Sequence, residues 1–367
     1  MKKIITFWAE NKMTKILFLT PYPLNSAPSQ RFRFEQYFPF FADKNIDYHT
    51  SPFLDEATWK IFYKKGYFFK KTLGIIKGLI NRHLLIFKIH QYDKLFIHRE
   101  AAMVGPAYFE WIYAKILKKE IIFDFDDAIW LKDVSNANEN LSWLKFPNKT
   151  KAIITYSKTI IAGNNYLAHY AKQFNNNVFV IPTTIDTNYH FIANKKTAKS
   201  IKIGWTGSVT TNKHLALVIN IIKELAKKYP HIEIIMISNQ PIIQSDLKIK
   251  FIAWNQESEI NDLSQINIGI MPLPDDKWAK GKCGFKGLQY MALEIPTIMS
   301  PVGVNTEIIQ DGVNGFLANS NEEWFNKLES LILSEDLRVK LGKAGRQTVI
   351  EKYSVEANKD YFLSLFK

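Results

Sequence analysis

The chain contains almost none of the cysteine that covalent cross-links require. It has one cysteine, Cys283, in 367 residues, which excludes an intrachain disulfide framework and fits a reducing compartment. Its cysteine and histidine residues do not have the spacing of a zinc site. No apolar run approaches the roughly 18 residues that a membrane-spanning helix needs. We therefore expect a cytoplasmic protein without a structural metal.

The amino-terminal segment has too few consecutive apolar residues for a signal peptide. Two lysines precede a short apolar run, which Glu10, Asn11 and Lys12 interrupt. We interpret residues 1–12 as a short leader before the first strand. The length, with 47% hydrophobic and 23% charged residues, is typical of a globular protein of two domains.

Acidic residues are absent from residues 57–92, although the chain carries 35 of them. The formal net charge of +13 predicts an anionic partner. Large apolar side chains lie between the basic residues of this segment, which fits either a helix on an anionic membrane or a core-facing helix with a solvated basic face. The chain has no helix-turn-helix, zinc-finger or RNA-binding signature, so nucleic acid is not an expected partner. The basic residues are Lys60, Lys64, Lys65, Lys70, Lys71, Lys77, Arg82 and Lys88.

Short β-branched or aromatic runs alternate with longer helical patterns along the chain. We predict strands at residues 15–20, 46–49, 94–98, 121–125, 152–155 and 178–181 in the first half, and at residues 202–205, 232–237, 249–252, 266–271 and 297–299 in the second. We predict helices at residues 31–41, 101–117, 164–173, 213–228, 285–293, 322–333, 335–353 and 355–366. This alternation indicates α/β domains with parallel sheets covered on both faces.

A polar stretch at residues 191–200 separates two such blocks. We assign residues 1–190 to one Rossmann-like domain and residues 201–350 to a second. Two doubly wound domains joined in this way form a cleft between the carboxyl ends of their sheets, where the ligands of such folds bind.

The most informative segment spans residues 281–317 and reads GKCGFKGLQYMALEIPTIMSPVGVNTEIIQDGVNGFL. It predicts a glycine-flanked loop with Lys282 and Lys286, a helix from about Phe285 and, after a strand, a Pro-Val-Gly turn that opens another helix. Helix N-termini and glycine-loosened backbone present N–H groups to an anion, and the lysines add full charges. The pattern favours a diphosphate site, with a solvated basic loop as the alternative.

This segment resembles the donor-binding signature of glycosyltransferase family 4, a retaining family with the GT-B fold. In that family a Glu, seven residues, a second Glu and Ala-Met-Ala precede a Gly-x-Pro turn, a Gly-rich stretch and a Pro-Glu-Ile-like helix start. The resemblance implies two Rossmann-like domains facing a central cleft, with the nucleotide sugar on the C-terminal domain. It also implies that a helix in residues 351–367 packs back on the first domain. The matching residues are Tyr290-Met291-Ala292, Pro296, Ser300-Pro301, Val302-Gly303, Glu307-Ile308-Ile309, Asp311-Gly312 and Gly315-Phe316.

Three positions depart from the family pattern. Gln289 replaces the second Glu, which in the family holds the ribose hydroxyls, and can still accept and donate hydrogen bonds. Gly281 replaces the first Glu, so its contact with the donor sugar is missing or supplied elsewhere. Glu294 replaces the glycine of the turn. The sequence instead resembles a branch in which Lys-x-x-Phe-Lys-x-x-Gln-Tyr-Met-Ala takes over the site. The donor-binding residues implied here are Lys282, Gly284, Phe285, Lys286, Gln289, Gly303, Val304 and Glu307, with Lys286 also assigned to catalysis.

A second phosphate-binding element is predicted where a strand ends in Thr206-Gly207-Ser208 and a helix carrying Lys213 follows. The family places an Arg and a Lys here against the donor diphosphate. Ser208 occupies the Arg position, and Lys213 can stand for the Lys. Because this Arg is absent, we expect Lys282 and Lys286 to supply the positive charge that it would bring to the diphosphate.

Polar residues near the ends of first-domain strands are candidates for the other side of the cleft. Arg31 and Arg33 are candidate anion contacts on the acceptor side, with the start of a surface helix as the alternative. His98 and Arg99 end another strand. The resemblance places His98 against the donor sugar, with a structural histidine as the alternative, and we assign Arg99 to the acceptor side.

The sequence Asp124-Phe125-Asp126-Asp127 contains the Asp-x-Asp pattern that binds a divalent ion in the other major glycosyltransferase fold. We predict no metal here, because a GT-B scaffold stabilises the leaving diphosphate with helix ends and basic residues. Asp126 and Asp127 are assigned to catalysis. We expect them to orient an acceptor hydroxyl or to pair with Arg31 or Arg33.

These features predict a glycosyltransferase of the hexosyltransferase type that needs no cofactor and acts in surface polysaccharide or glycolipid assembly. Its substrates would be a nucleotide-diphosphate sugar and a saccharide or lipid-linked acceptor. A lipid-linked acceptor would make it peripheral on the inner face of the cell membrane through residues 59–88. The alternatives are a non-hydrolysing sugar-nucleotide epimerase, which Gly281 argues against, and a catalytically silent GT-B binding subunit.

Overall fold

The computed structural model describes residues 13–131, 146, 148–191, 200–208, 211–241 and 247–367. The leader (residues 1–12) and residues 192–199 of the linker lie outside them. Two six-stranded sheets contain the strands, and every pairing between neighbours is parallel. This architecture confirms the α/β prediction.

The first sheet has the strand order β2-β1-β3-β4-β5-β6. Its strands are β1 Thr14–Thr20, β2 Ile46–Pro52, β3 Lys94–His98, β4 Glu120–Phe125, β5 Thr159–Ala162 and β6 Val178–Val180. The second sheet has the order β12-β11-β10-β7-β8-β9. Its strands are β7 Ile201–Gly207, β8 Ile232–Ser238, β9 Ile249–Ala253, β10 Ile268–Met271, β11 Thr297–Met299 and β12 Phe316–Leu317.

The α-helices connect and cover these strands. Those of the first half are α1 Pro28–Arg31, α2 Glu56–Phe62, α3 Phe68–Ile86, α4 Tyr108–Trp111, α5 Lys149–Tyr156 and α6 Asn165–Lys172. Those of the second half are α7 Asn212–Leu215, α8 Ile219–Lys228, α9 Glu259–Leu263, α10 Lys277–Lys280, α11 Phe285–Ala292, α12 Asn305–Ile308, α13 Asn321–Leu333, α14 Glu335–Thr348 and α15 Val355–Ser364. No helix of the described segments combines the length and apolar character needed to cross a bilayer.

Several predicted elements differ from the structure. The helix predicted at residues 101–117 begins only at Tyr108 and continues as a π-helix, Ile112–Ile116, and the helix predicted at residues 213–228 is divided into α7 and α8. Residues 152–155 were predicted as a strand but belong to α5, and the neighbouring strand β5 was missed. A short β-branched run fits either state, and here the sheet takes the later run because all four of its residues are buried. The helix predicted at residues 31–41 is divided into α1 and a 3₁₀ helix, Glu35–Phe40, that contains Pro39. Proline lacks the N–H that a continuous α-helix requires.

The C-terminal helix α15 packs against the first sheet rather than the second. The ring of Phe362 stacks on Tyr37 with the centroids 4.2 Å apart, and Phe366 lies 5.8 Å from Phe96. The crossover is fixed by hydrogen bonds from Ile185 N to Tyr353 O and from Val355 N to Ile185 O. The chain thus passes between the two sheets twice, which holds their carboxyl edges opposite each other.

Candidate active site

The loop before α11 is shaped by glycine. Gly284 has φ +68° and begins the helix, and a Cβ there would lie 2.2 Å from Ile308 Cδ1. The helix is buried from Gly287 to Ala292, and its Tyr290 hydroxyl accepts a hydrogen bond of 2.8 Å from Thr206 N at the end of β7. This contact joins α11 to the end of β7, so the two predicted phosphate-binding elements are neighbours.

Lys286 projects from the first turn of α11 onto that loop. Its Nζ lies 3.2 Å from Thr211 Oγ1 and 4.8 Å from the centroid of the Trp205 ring. The Thr211 hydroxyl accepts from Ser208 N and donates to Ser208 O, which closes the loop. Burial, followed by the positive charge of Lys282, lowers the pKa of the Lys286 ammonium to about 7. The sequence indicated Ser208 and Lys286, whereas Trp205 and Thr211 were missed.

The loop between β7 and α7 is electropositive. A Cβ on Gly207 would lie 2.4 Å from the Trp205 ring, which explains the glycine. Lys213 is exposed on the short helix α7, next to the buried His214. The pKa of the His214 imidazole falls to about 4, first because of burial and then because of three lysines, Lys286, Lys213 and Lys282. An anion at this loop would therefore be in the field of several positive charges.

Lys282 connects the loop before α11 (residues 281–284, the predicted donor loop) to the first domain. Its Nζ lies 2.8 Å from Asp127 Oδ1 and 4.9 Å from the centroid of the Trp278 ring. Arg99 holds the same carboxyl group at 3.1 Å and also binds Asp126 at 2.7 Å. The expectation that Asp126 and Asp127 pair with Arg31 or Arg33 is therefore wrong, and Arg99 and Lys282 are their partners.

Arg31, the last residue of α1, and Arg33, two residues later, bind other carboxylates. Arg33 Nη2 donates to Asp124 Oδ1 at 2.5 Å inside the first domain. Arg31 Nη2 donates to Glu259 Oε2 at 3.0 Å in the second domain. Both arginines are buried. Only Arg31 therefore lies between the domains, and Arg33 supports the strand ends of the first sheet.

His98 lies beneath the surface of the cleft. Its side chain is 0% exposed, Nδ1 lies 2.7 Å from Asp124 Oδ2, and the ring packs 5.4 Å from Phe34. Burial raises the pKa of the Asp124 carboxyl, but the charge of Arg33 and the bond from His98 outweigh it and bring the pKa below its usual range. Nε2 has no hydrogen-bond partner within the described residues.

A buried polar cluster surrounds Glu259, the first residue of α9. Oε2 accepts from Arg31 and, at 3.1 Å, from the Tyr189 hydroxyl. Oε1 accepts from Trp254 Nε1 at 3.1 Å and from Gln289 Nε2 at 3.3 Å. Gln289 is thus connected to a carboxylate that sequence reasoning missed. The only signal was its position shortly after the carboxyl end of β9.

The remaining donor candidates lie on the turn before α12 and around the donor loop. Gly303 has φ +56°, and a Cβ there would lie 2.8 Å from Lys280 O. Val304 is buried beside it. Glu307 accepts a hydrogen bond of 2.9 Å from Asn165 of the first domain. Phe285 packs 4.3 Å from the Phe32 ring, also across the domains.

The structure explains the glycine at position 281. A Cβ there would lie 2.7 Å from Ala128 Cβ and 2.8 Å from Ala128 N in the first domain. A glutamate would collide with this backbone, so the family's first Glu cannot be accommodated. Asn164 of the first domain also donates to Gly281 O and Lys282 O. Glu294 occupies the turn position that is glycine in the family. Its φ of 54° lies in the left-handed region, where residues other than glycine are uncommon.

The side chains between the domains provide positive charges and hydrogen-bonding groups. No three His, Cys, Asp or Glu side chains are grouped as metal ligands in the described ranges. Burial raises the pKa of the Cys283 thiol to about 12, so it stays protonated at neutral pH. Its Sγ lies 3.2 Å from Asp126 O, as expected for a packing residue.

Comparisons with known proteins agree with this architecture. Residues 200–334 match the family model described as glycosyl transferases group 1. A glycosyltransferase from Rickettsia africae ESF-5 superposes with a TM-score of 0.68 at 16% identity, covering 97% of this chain and 98% of that one. Anabaena HepE in complex with UDP-glucose gives a TM-score of 0.68 at 13% identity, covering 96% and 98%.

A third structure, sucrose-phosphate synthase from Thermosynechococcus elongatus, gives a TM-score of 0.63 at 12% identity, covering 96% of this chain and 98% of that one. No curated protein sequence matches the chain. The solved structures carry the two-domain fold over the whole length, and the family match covers the second domain. Residues 200–334 are thus a glycosyl transferases group 1 domain, and the chain is a glycosyltransferase with the GT-B fold.

Proposed function

We propose that the protein transfers a sugar from a nucleotide-diphosphate donor on the second domain to an acceptor hydroxyl on the first, with retention of configuration and without a metal. The observation that carries the proposal is the arrangement of Lys286, Lys282 and the N-terminus of α11 around the β7–α7 loop. Free N–H groups of a helix start bind phosphate oxygens, and the lysines add charge. The UDP-glucose complex of HepE supports a donor of this class.

The leaving diphosphate gains charge as the glycosidic bond breaks, and the site stabilises that charge where it develops. Lys286 is partly neutral without a ligand because its pKa is about 7. A bound diphosphate favours its protonated form, so the full charge is present during transfer. Gln289 would bind the ribose hydroxyls. Gly281 cannot contact the sugar through a side chain, so that contact comes from other groups of the cleft.

The first domain would contribute acceptor-side groups at the carboxyl ends of β3 and β4. Arg99, Asp126 and Asp127 form a partly exposed ionic cluster there, opposite the donor loop. A carboxylate of this cluster can orient an acceptor hydroxyl by accepting its hydrogen bond. Contacts between the domains, such as the exposed hydrogen bond from Asn165 to Glu307, favour a closed cleft, and closure would exclude water from the reacting sugar.

The test is incubation of the full chain with UDP-, GDP-, ADP- and dTDP-linked sugars while nucleotide release is measured with and without cell-derived lipid and saccharide acceptors. Acceptor-dependent release with one donor is the expected result, and NMR of the product gives the anomeric configuration. An altered sugar nucleotide without release would indicate an epimerase. Binding without either reaction would indicate a silent binding subunit.

We also infer that residues 59–88 lie on an anionic membrane and that the acceptor is lipid-linked. Helix α3 and its C-cap residue, Phe87, expose apolar side chains at helical spacing, with Phe69 82% and Phe87 76% exposed. A solvated basic face alone does not require such a row, whereas an interfacial helix does. The outward row is Phe69, Leu73, Ile76, Ile80, Leu84 and Phe87.

The basic residues of the segment divide into two groups. Lys71 and Arg82 are buried and hold the helix in place: Lys71 donates to Lys64 O, and Arg82 donates to Ala101 O and Ser51 O. They therefore do not contribute to the surface charge, contrary to the sequence-based grouping. The six exposed residues, Lys60, Lys64, Lys65, Lys70, Lys77 and Lys88, flank the apolar row. A basic surface next to exposed aromatic side chains is complementary to anionic headgroups.

A further inference from the structure

The side-chain amide of Gln289 is held by two acceptors. Its Nε2 donates to Glu259 Oε1 at 3.3 Å and lies 3.4 Å from His190 Nε2. An ionised carboxylate only accepts hydrogen bonds, so the NH₂ end of the amide must be the end that faces Glu259. Gln289 is 2% exposed, so it cannot reorient freely.

The second acceptor has a fixed tautomer. His190 Nδ1 lies 3.2 Å from Asp186 O, a carbonyl that only accepts, so this nitrogen carries the proton. Burial lowers the pKa of the imidazole to about 4, which keeps the ring neutral at physiological pH. The lone pair of Nε2 is therefore directed at Gln289 and accepts its second N–H.

Both amide hydrogens are thus used, and Oε1 is the free end of the group. No residue in the described parts of the chain donates a hydrogen bond to Gln289 Oε1. A carbonyl oxygen can accept two hydrogen bonds. In this orientation the amide can only accept hydrogen bonds from a ligand, whereas a glutamine amide in water can donate or accept them.

We propose that Glu259 and His190 are positioning residues that fix Gln289 as an acceptor for the vicinal ribose hydroxyls of the donor nucleotide. This inference rests on the proposed function. It also gives a reason for glutamine at this position: a glutamate would place two buried carboxylates at the distance of the Glu259–Gln289 contact. One carboxyl group of such a pair stays protonated and becomes a donor. The neutral amide avoids this conflict and presents the same acceptor.

The test compares a ribonucleoside diphosphate with its 2′,3′-dideoxy analogue by calorimetry on the full chain. UDP, GDP and ADP are compared first, and the tightest binder is used. Wild type should prefer the ribonucleotide by roughly tenfold or more, as expected for two hydrogen bonds. Glu259→Gln should lower this preference at least about fivefold through weaker ribonucleotide binding, with the Kd of the dideoxy analogue unchanged.

The decisive variant exchanges the two side chains. Glu259→Gln combined with Gln289→Glu again pairs one carboxylate with one amide, but His190 Nε2 loses the N–H that it accepts from Gln289. The preference should therefore recover in part and exceed that of Glu259→Gln alone. Tyr189→Phe is the matched control, because it removes a hydrogen bond from Glu259 Oε2 but leaves the Oε1 contact with Gln289. It should keep the wild-type preference.

The outcomes separate the inference from the function on which it rests. If none of the three diphosphates binds, the proposed function fails, and the inference fails with it. If one binds but Glu259→Gln keeps the full ribose preference, or the exchanged pair shows only the added damage of both changes, the positioning role is wrong. Should Glu259→Gln not fold, His190→Phe removes the other acceptor while keeping a ring beside Phe32, and its ribose preference must fall.

Discussion

The Lys282 ammonium lies 2.8 Å from Asp127 Oδ1 and joins the loop before α11 to the carboxyl end of β4 in the other domain. Arg99 shares the same carboxyl group. A lysine that we assign to the donor diphosphate is therefore already paired across the cleft. The bound diphosphate and Asp127 compete for it.

Asp127→Asn should strengthen nucleoside diphosphate binding several-fold, because it frees Lys282. The gain is limited to about 1 kcal/mol, since both partners are partly exposed and screened by water. Calorimetry measures the change in Kd. Asp126→Asn is the matched control, because Asp126 pairs with Arg99 but not with Lys282. An equal gain in both variants would contradict competition at Lys282.

Lys286→Ala should lower turnover about 10²–10³-fold, the usual effect of removing one charge-stabilising donor from a transition state. The melting temperature should stay the same or rise. Burial holds the pKa of this lysine far below its value in the unfolded chain, so its charged form opposes folding at neutral pH. The exposed Lys277 on the neighbouring helix α10 provides the control. If Lys286→Ala keeps more than half of wild-type turnover, the lysine does not act on the leaving group.

Nucleoside diphosphate binding at pH 8 should take up close to one proton. Free Lys286 is mostly neutral at this pH because its pKa is about 7, and a bound diphosphate raises that pKa. Affinity should consequently fall as the pH rises above 7. Calorimetry in buffers of different ionisation enthalpy counts the protons, and the uptake should vanish in Lys286→Ala. Uptake of the same size in that variant would assign the proton to another group.

Turnover should persist in EDTA. Asp124, Asp126 and Asp127 already pair with Arg33, Arg99 and Lys282. These cations and the N-terminus of α11 supply the positive charge that a metal would bring. Steady-state rates with and without EDTA test this. Complete loss of turnover that magnesium or manganese restores would show that the Asp-x-Asp sequence binds a divalent ion.

The sequence was most informative where function and backbone geometry depend on the same residues. In the segment that we predict to bind the donor, Gly284 and Gly303 have positive φ and contact neighbouring elements too closely for a side chain, so the backbone itself requires these glycines. The partners of Asp127 and Gln289 could not be identified. Lys282 is 155 residues from Asp127, and Glu259 is 30 residues from Gln289. The contact of Lys282 with Asp127 depends on how the two domains are oriented, and the contact of Glu259 with Gln289 depends on how the second domain folds. Periodicity contains no information on either.

The exposed row of α3 leads to the last prediction, that the protein binds anionic but not neutral liposomes. Each lysine near an anionic bilayer contributes about 1 kcal/mol, and the aromatic rings insert at headgroup depth. Co-sedimentation should decrease as salt rises past physiological strength, because surface charges are then screened. Two variants separate the contributions: Phe69→Asp with Phe87→Asp removes insertion, and reversal of Lys64, Lys65, Lys70 and Lys88 to Glu removes attraction.

Both variants should lose liposome binding and keep nucleotide binding, because the substituted residues lie outside the donor site. Lys71 is left in place, since its buried ammonium holds the helix and its loss would affect folding.

The charge-matched control reverses four exposed lysines of the second domain, Lys227, Lys248, Lys340 and Lys343. It changes the net charge equally but should still sediment, because the binding charges are those beside the apolar row. If the control loses liposome binding to the same extent, net charge alone explains the binding. If the wild type does not bind anionic liposomes at low salt, the exposed apolar row of α3 does not bind membranes, and the proposal of a membrane-bound acceptor fails.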